Sequence, residues 1–569
     1  MAVYGQEYKA IDFSKGLYIK ETSDAMPDGY CSSLLNMHIN INGEAEIRPN
    51  FIPTSAQGTT GVLDSNITRT VSSVPAGEYF CSLYHKAYGL NPVGINDPLV
   101  VMTSQTTAPD GVVRWLKRDG LTGQSFNMSA LTFPRELVQY RDRYYSLTVT
   151  GVDVSRWTFN ASTITVTSLQ TFPGTEFLNS MVAFRDRLFA SGANRLYFTD
   201  LPISGGYPEN WNGANNFISM PALGATIVNM LVHNDRIFIF TTEGVYQLYA
   251  IGDPTNWSIS LISTNVKVYS KNSVALVRDT FVYTDYNQVY MFNGVSSRPV
   301  GDPIKEAMKT DGYFLAANDS YVAQPGATGT RIIPYQDGFI LAITTAEVSG
   351  GNWIEVTLPK YFYFDGATWS EIGFGGDTGV DIHFALINVI QDKGARVFTN
   401  ESPRETDIIV ELRSTSLGPI TYSVVMHSVR KSNTWTDLAL FKPFYTLLIT
   451  KQTDVQPTAY ILARVHEVVL NLKNALREIS YEVRTDKIGG EGAIAITTAA
   501  DAVGRNMVDV IRVRNAIERT ATLQVRIRAY MINTTYSQVN QPFPSVRINS
   551  IMAKINTDTR QIPDRDFRI

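Results

Sequence analysis

Apolar and polar residues alternate along most of this chain in short runs, and the runs are broken at regular intervals by turn residues. A typical stretch is Ile237-Phe238-Ile239-Phe240, then Thr241-Thr242-Glu243-Gly244, then Val245-Tyr246-Gln247-Leu248-Tyr249. Period-two alternation over four to eight residues predicts strands, and the intervening polar clusters predict tight turns. One unit recurs: two or three apolar residues, Arg or Asn, an Asp, then an alternating apolar run. Its aspartates are Asp97, Asp142, Asp186, Asp235, Asp279 and, more weakly, Asp337, spaced 45, 44, 49, 44 and 58 residues apart. After Asp186, Asp235 and Asp279 a tyrosine follows 11 residues later: Tyr197, Tyr246 and Tyr290. A period near 45 residues holding three or four strands is that of a propeller blade. Six marked units, with a seventh near Asp392–Phe398, predict an all-β fold with a six- or seven-bladed β-propeller. Each Asp is expected to shape its turn by bonding the backbone two residues on.

Residues 1–75 precede the regular repeat and are expected to form an N-terminal arm leading into the propeller, with turns at Pro27-Asp28-Gly29 and Asn42-Gly43. The propeller is placed at 76–405. From 406 to 569 the repeat stops but alternation continues, as in Ile479-Ser480-Tyr481-Glu482-Val483, which predicts a C-terminal β-sandwich. Only Ile304–Lys309 and part of 461–477 have a pattern that suits a helix.

Composition sharpens this picture in a few places. At 569 residues the chain is too long for one core, since cores stop growing near ~250–300 residues. Net charge is −4, which gives no global case for nucleic-acid or membrane binding. Two cysteines, Cys31 and Cys81, exclude a disulfide framework. No 18-residue apolar run is present and the N-terminus does not read as a signal peptide, so no membrane insertion is expected.

Charge is unevenly spread. Residues 511–569 hold ten Lys or Arg against four Asp or Glu, a net +6, so the preceding 510 residues carry −10. Arg512, Arg514, Arg526 and Arg528 alternate with apolar residues, and residues two apart share a strand face. They are therefore candidates for one basic stripe: a solvated face, or a contact with an acidic neighbouring subunit or with DNA phosphates.

Catalytic chemistry has no local signature. There is no phosphate-cradling Gly-Lys-Ser/Thr loop, no Gly-x-Ser-x-Gly elbow, no HExxH and no Cys-x-x-Cys. The six histidines are all more than 30 residues apart. Phe364-Asp365-Gly366-Ala367-Thr368-Trp369 is the nearest approach to the repeated turn of sialidase-type propellers, but it occurs once with the wrong spacing. Neither a cofactor nor a metal is expected, and the repeated aspartates read as structural. Trp211, Trp257 and Trp369 are expected to fill interiors; a glycan-binding module would instead expose them.

Four motifs in order resemble a known family. The opening has Gly16-Leu17-Tyr18, Met26-Pro27-Asp28-Gly29, Leu35-Asn36, Gly43 and Arg48-Pro49. The second is Arg195-Leu196-Tyr197-Phe198-Thr199-Asp200 running to Pro208-Glu209-Asn210-Trp211. The third is Glu243-Gly244-Val245-Tyr246-Gln247-Leu248-Tyr249-Ala250-Ile251-Gly252, and the fourth Gln288-Val289-Tyr290-Met291-Phe292-Asn293-Gly294 with Gly301-Asp302-Pro303-Ile304. Together they resemble the tail hub proteins of podophages, also called nozzle, tail tubular or stabilisation proteins. Asn50 departs from that pattern, where a glycine is usual. The resemblance covers about 16–310 and implies a structural virion protein without enzymatic activity, in a homohexameric ring below the portal. Its implied partners are further copies of itself, head–tail adaptor proteins, and fibre, spike or needle proteins, with DNA passing through unspecifically. The implied location is the tail of the virion, after assembly in the host cytoplasm. The rival expectation is a receptor- or glycan-binding fibre or spike component.

Overall fold

The computed structural model describes residues 6–20, 25–48, 50–53, 68–70, 80–84, 98–105, 110–117, 126–129, 134–141, 143–148, 153–159, 164–172, 178–203, 205–212, 216–221, 225–285, 288–311, 331–335, 338–343, 347–349, 352–354, 360–373, 382–390, 407–414, 420–429, 436–437, 442–443, 446–454, 463–473, 479–486, 496–497, 510–520, 522–531 and 547–557. Strands dominate, as the alternation predicts.

Five consecutive four-stranded antiparallel sheets run through the first part of the chain, spanning 80–129, 134–171, 180–219, 227–263 and 274–299. They are blades 1 to 5. Blade 6 comprises Arg331–Tyr335, Gly338–Ile343, Lys360–Phe364 and Trp369–Ile372. Blade 7 comprises Ile382–Ile390, Asp407–Ser414 and Ile420–Val429. The first strand of each blade touches the first strand of the next, and that of blade 7 touches Phe80–Tyr84 of blade 1. The ring therefore closes at seven blades. Its closure is secured by sequence-distant strands, because Asn50–Pro53 and Thr68–Thr70 pair along the outer strand of blade 7. Such a closure removes the open end that a linear row of sheets would leave.

Two expected boundaries move. The propeller runs to Val429, so the expected break at 405 falls inside blade 7. The described strands between Gln6 and Ile47 do not form a separate arm but join the C-terminal sheets. Gln6–Ile11 pairs with Arg547–Thr557, Ala45–Ile47 joins the same strand, and Tyr30–Leu35 pairs with Thr446–Thr450. One sandwich sheet runs Met37–Ile39, Ala45–Ile47, Arg547–Thr557, Ala463–Lys473, Val510–Thr520. The other runs Thr446–Thr450, Thr522–Met531, Ile479–Asp486, Ile496–Thr497, and continues through Tyr30–Leu35 into blade 6.

The helix expected at Ile304–Lys309 is present as Lys305–Asp311, after a 3-10 turn at Asp302–Ile304. The segment 461–477 holds the strand Ala463–Lys473 instead. Two β-bulges disturb its pairing and break strict alternation, which blurs its period. One buried cluster joins the two domains: Ile332, Phe339, Leu341 and Trp369 of blade 6 pack with Leu34, Leu448, Leu470, Ile527 and Ile551 of the sandwich.

Candidate functional site

Three of the six repeated aspartates, Asp186, Asp235 and Asp279, lie in the turn between the first and second strands of blades 3, 4 and 5; Asp97, Asp142 and Asp337 lie outside the described residues. These are two-residue turns, closed by Phe184↔Arg187, His233↔Arg236 and Val277↔Thr280. Such hairpins favour a left-handed residue, which matches the strand twist. Arg141, Arg185, Asn234 and Arg278 hold it, with φ of 55°, 53°, 46° and 54°. Contrary to what their turn position suggests, Asp186 and Asp235 do not bond the backbone two residues on; their side chains reach sideways instead. Asp186 Oδ1 accepts from Tyr140 Oη at 2.8 Å and lies 3.6 Å from Arg141 Nη2, both of blade 2. Asp235 Oδ2 lies 3.8 Å from Arg185 Nη2 of blade 3. Blades 2 and 3 thus each offer an Arg to the Asp of the following blade. The carboxylates are 59% and 82% exposed, so each pair contributes at most about 1 kcal/mol.

The second motif builds a deeper clamp. The Asp200 carboxylate accepts from Asn210 Nδ2 at 2.6 Å and Asn216 Nδ2 at 2.7 Å, folding the connection after the third strand of blade 3. Glu209 then reaches into blade 2, where Arg143 and Arg156 donate to its two oxygens at 2.5 and 2.8 Å, and Tyr145 Oη donates at 3.0 Å. Burial, and then Glu209, push the Tyr145 phenol well above its usual range. Trp211 closes the clamp, buried edge-on against Phe172. In the third motif, Gly244 approaches Ser263 so closely that a Cβ would lie 2.5 Å from its carbonyl oxygen, which explains the glycine.

The first and fourth motifs meet at the seam between propeller and sandwich. Asn36 is buried with φ of 57°, and its Oδ1 accepts from Arg48 Nε and from Gly373 N, both at 2.8 Å. Arg48 Nη2 donates to Gly373 O at 2.9 Å, just past the last strand of blade 6. A Cβ at Gly16 would sit 2.8 Å from Trp369 O. Trp369 is 1% exposed, donates through Nε1 to Val300 O at 2.7 Å, and packs on Phe364 and Phe339. Ile19 N donates to Pro303 O at 2.7 Å. Asp28 of the Pro-Asp-Gly turn accepts from Lys451 Nζ at 2.8 Å, and that bond holds its carboxyl below the usual range. Asn50, the departure from the family pattern, begins the strand that covers blade 7.

The basic stripe is corrected. Arg512 and Arg514 lie on Val510–Thr520, the edge strand of one sandwich sheet. Arg526 and Arg528 lie on Thr522–Met531, between two strands of the other sheet. Period-two spacing within each strand says nothing about which sheet the strand joins, so four arginines on one face do not follow. Arg512 Nη1 lies 3.4 Å from the buried Glu467. Trp211 and Trp369 are buried, and Trp257 is half-buried against Phe189 and Phe198.

One constellation has no signal in the sequence. Glu136 Oε2 accepts from Met181 N at 2.6 Å and from Lys271 Nζ at 2.7 Å, while Asn229 Nδ2 donates to Lys271 O at 3.0 Å. Four separate segments supply these groups, at the starts of the central strands of blades 2 to 4 and ahead of blade 5. Among the described residues no cluster of three His, Cys, Asp or Glu is placed to hold a metal, and no helix is long and apolar enough to cross a membrane.

No family model matches the chain, and no curated protein matches it. Solved structures resemble it weakly. The Neurospora crassa Pan2 WD40 domain is 12% identical, over 58% of this chain and 86% of that one, at a TM-score of 0.33. YCF48 bound to D1 peptide is 10% identical, over 66% and 99%, at 0.32. The S. cerevisiae core factor is 10% identical, over 67% and 64%, at 0.33. The class of this protein is therefore that of its own strands, an all-β propeller carrying a sandwich. Likeness at this level says nothing of what the chain binds.

Proposed function

We propose that this chain is a structural subunit of a bacteriophage tail, a ring-forming hub or nozzle protein that surrounds the DNA exit path and anchors fibres, spikes or a needle. The observation that carries the reading is where the family-like motifs fall. All four take part in holding blade to blade or propeller to sandwich, through Asn36, Arg48, Glu209, Tyr246 against blade 3, and the Pro303 carbonyl. A part that transmits load between neighbours needs rigid seams more than a cleft, and closed symmetry lets one repeated interface build a ring. Its partners in this reading are further copies of itself, adaptor proteins above and fibre or spike proteins outside, with DNA passing without specific contacts. Two of the three tryptophans that the receptor- or glycan-binding alternative would expose, Trp211 and Trp369, are interior residues, which favours the structural reading.

The test is to purify the phage particles whose genome encodes the chain, and to locate it with gold-labelled antibody. Label at the tail, at a copy number near that of other ring proteins, supports the reading. A chain absent from the particles, or found only at the tips of fibres, overturns it.

A further inference from the structure

The Glu209 clamp holds more hydrogen-bond donors than it spends. Tyr145 and Arg156 face each other across the second and third strands of blade 2, and Arg143 lies two residues before Tyr145, so the three side chains share the face toward blade 3. Thr167 pairs with Arg156 on the fourth strand and adds a hydroxyl to that face. Each guanidinium reaches Glu209 through Nη1 alone, at 2.5 Å from Arg143 and 2.8 Å from Arg156. A guanidinium carries five N–H donors, and its Nε–Nη2 edge is a fork that grips an oxyanion by two parallel bonds. Among the described residues neither arginine spends that edge on a hydrogen bond. Arg156 Nε is buried without a partner, and so is Nε1 of Trp211, two residues beyond Glu209. Buried donors ordinarily find an acceptor. Arg143 is fixed over Tyr207, its guanidinium 3.5 Å from the ring centroid. Two guanidiniums share one carboxylate, so the cluster carries one positive charge in excess. The side chains of Arg143, Arg156 and Glu209 are 31%, 27% and 21% exposed, so a small solute can reach them.

We propose that this cluster binds a phosphate-class oxyanion in the seam between blades 2 and 3. The unspent groups are all donors, and the excess charge is positive, so the missing acceptor is an anion. A water could satisfy the lone Nε of Arg156 but would leave the charge uncompensated. A carboxylate has two oxygens and is filled by one fork, whereas a tetrahedral oxyanion has enough oxygens to meet both arginines. Glu209 fixes the two guanidiniums in advance, so little side-chain freedom is lost on binding. Its own negative charge opposes the ligand and limits the affinity. Glu209 therefore has two roles here: it orients the arginines and it weakens their grip on the anion. The site is independent of the tail reading.

The test titrates the whole chain with sodium phosphate, the ionic strength held fixed with sodium chloride, and follows heat by calorimetry and the melting temperature in parallel. A single saturable site per chain is expected, with a rise in melting temperature that chloride alone does not give. Arg156→Lys keeps the charge and a donor for Glu209 but lacks the fork, and is expected to weaken phosphate binding about tenfold. Arg143→Lys reports instead if Arg156→Lys folds poorly. Glu209→Gln removes the opposing charge and is expected to tighten phosphate binding severalfold even though it loosens the contact between the blades, an effect that a merely structural clamp does not produce. Acetate is expected to bind more weakly than phosphate. No saturable heat, binding that the lysine variants leave unchanged, weaker binding in folded Glu209→Gln, or acetate binding as tight as that of phosphate would each overturn the proposal.

Discussion

The turns of blades 2 to 4 and the seam between blade 6 and the sandwich use closely related polar residues at opposite stakes. In the blades, Arg and Asp sit in consecutive two-residue turns, with the carboxylates exposed, and meet across neighbouring blades at 3.6 to 3.8 Å. At the seam, Arg48 and Asn36 are 7% and 2% exposed and satisfy groups more than 300 residues away in sequence. An exposed ion pair exchanges water for a partner with little net gain. A buried polar group has no water to return to, so losing its partner incurs the full desolvation cost. The repeated feature is thus the cheap one, and the feature that occurs once holds the domains together.

That comparison can be broken by mutation. The largest effect is expected for Trp369→Ala, about 3–5 kcal/mol of lost stability, because a fully buried indole at the seam leaves a cavity and an unpaired Val300 carbonyl. Thermal or denaturant unfolding measures it. Arg48→Ala should cost about 2–3 kcal/mol and loosen the sandwich from blade 6, seen as faster amide exchange at 371–373. Glu209→Gln should cost about 1–2 kcal/mol, less than full burial would imply, because the carboxylate is 21% exposed. Arg185→Gly is expected to fall between neutral and about 1 kcal/mol stabilising, since glycine relieves the left-handed backbone at the expense of one weak pair. A loss above 2 kcal/mol at Arg185 would mean that the turn pairs matter as much as the seam.

Alkali offers a milder probe. Burial, and then Asp285, push the Tyr290 phenol up to about 12, and Tyr283 is also raised by burial. A phenol raised in the folded state favours the neutral form there. Its contribution is fully present below the unfolded value near ~10 and is lost as pH rises through about 12. Stability should therefore fall between those limits, with Tyr290→Phe flattening part of the slope in melting curves.

Much of the propeller was legible because it is local. Turn aspartates at near-constant spacing and alternation on both sides mark hairpins; the seventh marker near Asp392–Phe398 lies outside the described residues. What could not be read was pairing between distant segments. Nothing in Gln6–Ile11 says that its partner is Arg547–Thr557, so an integral strand reads as an arm. Equal spacing in Arg512–Arg514 and Arg526–Arg528 cannot reveal that the two strands join different sheets. Glu136 and Lys271 meet because the ring closes, and neither residue is distinctive alone. The motif residues were visible as motifs, but only the fold shows that Asn36 and Glu209 spend their side chains on seams.

Assembly into a ring is what the hub reading requires, and its most direct measurement is the native mass of the chain, alone and with its neighbouring virion proteins. A closed ring of about six copies, formed alone or on meeting an adaptor, is the expected result. A chain that never exceeds a monomer or a dimer in the presence of every virion protein would contradict the hub reading.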